Sequence, residues 1–135
     1  MGVRSVSFST TRCARVLAVW LCAAPGYAVA ADAINPLAGK PEAITAGAAL
    51  FARMNCDGCH GIGAPGWVGP SLADGRWRFG GDDAALFRSI SEGRPHGMPA
   101  YGALVAERGI WEIVSYLRSL PKPKDVPTLR WPREE

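Results

Sequence analysis

The sequence predicts an all-α domain of three to five helices. Three windows repeat apolar residues at the spacing of a helical face, and no segment alternates apolar and polar residues as a half-buried strand does. Between the first and second windows lies a long glycine- and proline-rich stretch that holds large aromatic residues but has no period. At 135 residues, 48% hydrophobic and 20% charged, the chain has the profile of one small globular domain with a single core.

The chain opens with Arg4, Arg12 and Arg15, then the apolar run Val16 to Ala24, then small residues ending in Ala28-Val29-Ala30. That order is the pattern of a secretory signal over residues 1–30, with cleavage expected after Ala30. An uncleaved anchor is the weaker alternative, because the run is far short of the roughly 20 residues that cross a bilayer. No membrane span is therefore expected in the mature chain. Three of the 15 basic residues fall in this segment and none of the 12 acidic ones, so the exported chain is formally neutral. Neutrality removes the electrostatic case for nucleic acid, which calls for a basic patch or stripe. Cys13 and Cys22 leave with the signal, and only Cys56 and Cys59 remain.

Residues 31–42, with Pro36, Gly39 and Pro41 and few large hydrophobes, predict a leader that runs over the surface. The domain proper is expected over residues 43–120. A helix is expected over Ala43 to Asn55, where Ile44, Ala48, Phe51 and Met54 recur at helical spacing. Gly47 sits inside it at a cost of roughly 1 kcal/mol against alanine, which suggests close approach of another backbone. Residues 61–81 carry Trp67, Trp77 and Phe79 among glycines and prolines. A structureless loop of that length is usually functional, and its apolar contents suit wrapping something large.

Asp82 to Gly93 predicts a short helix with acidic residues in its first turn and a glycine stop. After the turn-rich Arg94 to Gly102, a last helix is expected from Val105 to Leu120, with Ile110, Ile113, Val114 and Leu117 on one face and Pro121 as its end. Residues 121–135 form a proline-rich tail, expected to be extended.

The chemistry centres on Cys56-Asp57-Gly58-Cys59-His60. Zinc would need four ligands, and the exported chain offers only Cys56, Cys59, His60 and His96, two of them adjacent and so strained as chelators of one ion. A redox dithiol is expected where a strand meets a helix N-terminus, and no such pattern exists here. Haem attachment needs what is present: two thiols one helical turn apart for the two porphyrin vinyl groups, and an adjacent imidazole that can reach the iron. Export agrees, since c-type haem is attached outside the bacterial inner membrane.

With Gly47 and Phe51 ahead of the motif, Gly69-Pro70-Ser71-Leu72 after it, and Gly97-Met98-Pro99 before a helix holding Trp111 and Tyr116, the chain resembles the class I c-type cytochromes over residues 43–120. The resemblance implies the small cytochrome c fold, wrapped around one covalent haem c held by Cys56 and Cys59. It implies His60 as proximal ligand with its other ring nitrogen bonded to the Pro70 carbonyl, Leu72 packed on the haem, and Met98 as the sixth ligand. It further implies that Gly47 and Phe51 cross Ile113 and Tyr116. Trp77 is a candidate donor to a haem propionate, with Arg76, Arg78 and Arg94 as candidate charge partners; plain loop packing and a solvated face are the alternatives. His96 competes with Met98 for the iron, but Gly97 and Pro99 match the family's methionine loop.

Small soluble periplasmic cytochromes that serve dehydrogenases or oxidases are similar to this chain. The implied function is a periplasmic single-electron carrier, expected as a monomer. Its donor would be a dehydrogenase, among which quinoprotein alcohol dehydrogenases are candidates, and its acceptor an oxidase or another cytochrome. The alternatives are a haem enzyme or gas sensor with a labile methionine, and a permanent haem subunit of a larger redox complex with residues 121–135 as a docking arm.

Overall fold

A computed structural model of the chain describes residues 33–122 and, apart from them, Gly2. The expected signal over residues 1–30 and most of the tail, from residue 123 onward, lie outside the described residues. Among the described residues four helices follow one another: α1 (Pro41–Arg53), α2 (Asp57–His60), α3 (Asp83–Glu92) and α4 (Glu107–Ser119). Among the described residues there is no named strand, only an isolated antiparallel bridge between Arg94 and Met98.

Helix α1 starts at Pro41, whose fixed φ and missing N–H suit a first helical position. It stops two residues earlier than the periodicity suggested, because Asn55 takes the left-handed conformation (φ 57°) that closes many helices. Asp82 caps α3 by accepting a 2.7 Å hydrogen bond from the Ala85 N–H, and Gly93 (φ 75°) ends it. The same hydrogen bond holds the Asp82 carboxyl below its ordinary value.

Helices α1 and α4 form the main packing contact, and α3 lies against α4. Their meeting point explains the glycine in α1. A β-carbon on Gly47 would stand 2.5 Å from the carbonyl carbon of Glu112 and 3.0 Å from the Ile113 nitrogen, and closer still to the Glu112 oxygen. One turn away the Phe51 and Tyr116 rings pack with centroids 5.4 Å apart. The core is continued by Phe87 against Trp111, centroids 4.5 Å apart, and by the fully buried Ile110 and Val114. Each such side chain contributes roughly 1.5–3 kcal/mol of burial.

The leader departs from the expected surface path. Asn35 is buried, its amide donating to the Trp111 carbonyl (3.0 Å) and Ser115 Oγ (2.9 Å) while its oxygen accepts from the Leu37 N–H. Leu37 is buried with it. A polar residue seats the leader because its hydrogen bonds, rather than apolar area, satisfy the α4 groups it covers.

Candidate functional site

The left-handed Asn55 turns the chain out of α1 and straight into the single turn α2. Within that turn the Cys59 and His60 N–H groups both donate to the Cys56 carbonyl, at 3.2 and 2.9 Å. Cys56 and Cys59 are thereby set about one turn apart on one side. Cys59 is exposed; Cys56 is half-buried, and burial, with Asp57 adding to it, pushes its thiol above the ordinary value.

His60 is buried, and its Nδ1 lies 2.8 Å from the Pro70 oxygen. A carbonyl only accepts, so Nδ1 carries the proton and Nε2 keeps its lone pair for another partner. The loop that brings Pro70 there is fixed by the Gly66 N–H on the His60 carbonyl (2.7 Å), the Gly69 N–H on the Cys59 carbonyl (2.8 Å) and the Leu72 N–H on the Ala64 carbonyl (2.9 Å). Gly69 lies close against the imidazole: a β-carbon there would stand 2.9 Å from Cε1 and 3.0 Å from Nδ1. The role of Gly69 had no signal in the sequence beyond its place beside Pro70.

Residues 61–82 hold no helix, as their lack of period suggested. Leu72 and Trp77 are half-buried and pack against the core cluster, as do Cys56, Met98 and Tyr101. Trp77 lies over Gly81, whose missing side chain leaves room for the indole. The carbonyl of Gly81 is in turn held by Arg118, which also pairs with Asp83 at 2.7 Å.

Met98 is carried by a narrow hairpin. The Arg94 N–H donates to the Met98 carbonyl (3.0 Å), and the Tyr101 and Gly102 N–H groups donate to the last carbonyls of α3, those of Ile90 and Ser91. Two left-handed residues at the tip, His96 (φ 71°) and Gly97 (φ 115°), make the reversal. His96 itself is exposed. Tyr101 ties this hairpin to the end of α1 through its hydroxyl on the Met54 carbonyl (3.4 Å). Of the candidate charge partners, Arg78 and Arg94 both stand over the Phe79 ring, 5.7 and 5.2 Å from its centroid.

Two thiols on one turn, an imidazole whose tautomer is fixed with Nε2 available, and a thioether on a braced hairpin make a donor set suited to a covalently held haem iron. Fold and family together define a class: the protein is a class I c-type cytochrome. More particularly, residues 42–117 match the family described as cytochrome c oxidase, cbb3-type, subunit III, and the chain belongs to that family, which implies haem c.

Among curated relatives, the Cbb3-type cytochrome c oxidase subunit FixP of Sinorhizobium medicae is 29% identical over 115 residues, covering 75% of this chain and 39% of that one. The subunit CcoP of Rhodobacter capsulatus is 42% identical over 86 residues, covering 56% and 29%. The chain thus spans well under half the length of either relative. Among solved structures, cytochrome cL from Methylophaga aminisulfidivorans superposes with a TM-score of 0.61 at 32% identity, covering 65% of this chain and 59% of that one. Cytochrome cL from Hyphomicrobium denitrificans gives 0.56 at 27% identity, covering 59% and 48%. Among the described residues no helix is long and apolar enough to cross a membrane.

Proposed function

We propose that the protein is a periplasmic single-electron carrier with one haem c. In this reading Cys56 and Cys59 attach the haem, and His60 and Met98 ligate its iron. The observation that carries it is the buried His60 imidazole, fixed by the Pro70 carbonyl on the same turn that presents both thiols. When bound, the haem supplies a one-electron ferric–ferrous couple. With His60 and Met98 both holding it, the iron would have no site left for substrate, which favours outer-sphere transfer. The thioether favours the ferrous state, and the loop from Gly61 to Gly81, with Leu72 and Trp77 turned toward the core, keeps water from much of the pocket.

Ile62, Trp67 and Val68 stand exposed on that loop beside the attachment turn and form the proposed rim for brief contacts with redox partners. Such encounters bury little surface, under about 1,200 Å² in total. The donor proposed is a periplasmic dehydrogenase, with quinoprotein alcohol dehydrogenases as candidates, and the acceptor an oxidase or another cytochrome. Likeness to oxidase subunits favours a second reading, in which the chain is a permanent haem subunit of a redox complex. Co-purification in fixed stoichiometry with an oxidase would support that second reading, and isolation as a monomer the carrier.

The test of the site is a Cys59→Ala variant expressed with its export signal. Loss of one thioether link and a large fall in holoprotein yield are expected; full covalent haem content in this variant would contradict the assignment.

A further inference from the structure

The Arg94 side chain makes more contacts than the role of a charge partner requires. Its Nε donates to Ser89 Oγ on α3 at 3.1 Å, and its Nη1 donates to the Gly93 carbonyl at 3.3 Å. Its guanidinium carbon lies 5.2 Å from the centre of the Phe79 ring, near the end of the long loop. Glu92, 3.7 Å away, is mostly exposed and adds little. The Arg94 N–H holds the Met98 carbonyl, and the Gly93 backbone is pressed against the chain just beyond: a β-carbon there would stand 2.6 Å from the Met98 oxygen and 2.9 Å from the Ala100 nitrogen.

One residue therefore joins three pieces: helix α3 through its side chain on Ser89, the long loop through its guanidinium over Phe79, and the hairpin that carries Met98 through its backbone N–H. The hairpin needs such a tie. Its tip contains a non-glycine residue in the left-handed region, His96, which adopts that conformation at a cost.

We propose that Arg94 is a positioning residue for the sixth ligand: its planar guanidinium, held by Ser89 and Gly93 and set over the Phe79 ring, keeps the Met98 hairpin in the geometry that delivers the thioether. The proposal rests on the reading of Met98 as that ligand. A fixed fork that donates from two nitrogens while stacking on a ring is a property of arginine that lysine lacks. This distinguishes positioning from a purely electrostatic role beside a propionate, which a lysine would also fill.

The experiment is a titration of the ferric holoprotein with imidazole, which competes with the methionine for iron, followed through the weak long-wavelength absorption of a methionine-ligated ferric haem. Losing charge-assisted contacts of this kind should tighten the apparent imidazole Kd about tenfold in Arg94→Ala. Arg94→Lys should behave nearly as Arg94→Ala does. Ser89→Ala, which removes one acceptor and leaves the arginine, should shift the Kd in the same direction by less. Arg108→Ala, which breaks only the surface pair with Glu112, should leave it unchanged. A wild-type Kd in Arg94→Ala, or full restoration by lysine, would overturn the proposal while leaving Met98 as ligand. A wild-type protein with no methionine absorption would instead remove the ligand reading, and this proposal with it.

Discussion

Replacing Gly47 by alanine puts a methyl group where the Glu112 carbonyl already is. The new β-carbon would stand 2.5 Å from the carbonyl carbon and 3.0 Å from the Ile113 nitrogen, against roughly 3.5–4.0 Å for an ordinary contact between carbons. Helix α4 must therefore retreat by about 1 Å. Both sides of the clash are helix backbone, so neither can swing aside as a side chain would. Overpacking of this kind costs about 1–3 kcal/mol and sometimes more; alanine offsets about 1 kcal/mol by its better helix propensity. With the clash at the upper end, the net loss is about 2 kcal/mol, or a fall in Tm of about 8–16 °C for a domain this small. Thermal unfolding of the holoprotein followed by far-ultraviolet circular dichroism measures it. The exposed Ala49→Gly on the same helix is the reference, losing only propensity, about 1 kcal/mol. A Gly47→Ala protein as stable as wild type, or more so, would refute the close-crossing argument, since propensity alone predicts a gain.

Gly69→Ala should tilt the His60 ring away from Pro70, and a lowered holoprotein yield together with a reduction potential shifted from wild type would register it; an unchanged potential and yield would mean the ring has room. Asp82 has a depressed folded-state value because it accepts the Ala85 N–H, so its contribution is complete above the unfolded value, near 3.8, and is lost as pH falls through the folded one. Urea midpoints of Asp82→Ala and wild type should therefore differ near neutral pH by a cap's worth of stability and converge in acid; a constant gap would contradict the assignment. Deleting residues 124–135 should leave electron transfer from the cognate donor within about twofold if the tail is a frayed terminus; a loss of tenfold or more would make it a docking arm.

The helical faces of α1, α3 and α4 were legible because their apolar residues repeat and ends are marked by Asp82, Gly93 and Pro121, whereas Pro41 was read as leader and instead opens α1, two residues before the expected start at Ala43. The close approach at Gly47 was legible for a different reason: a glycine in an otherwise well-formed helix needs a cause. The turn α2 and the His60–Pro70 bond could be placed only through the family resemblance, since nothing periodic marks either. Asn35 was missed because a buried polar anchor in a leader looks like any surface asparagine until its partners on α4 are known. Arg94 was read as a candidate charge partner, and its contacts with Ser89 and Phe79 were not legible, because a residue's charge is visible in a sequence whereas the ring beside it is not.

The sixth ligand separates a carrier from a haem enzyme, so the ferric absorption spectrum of Met98→Ala beside that of His96→Ala tests the account most directly. The account predicts that the weak long-wavelength methionine absorption is present in wild type and His96→Ala and absent in Met98→Ala, whose potential should also fall. Its survival in Met98→Ala, or its loss only in His96→Ala, would contradict the account.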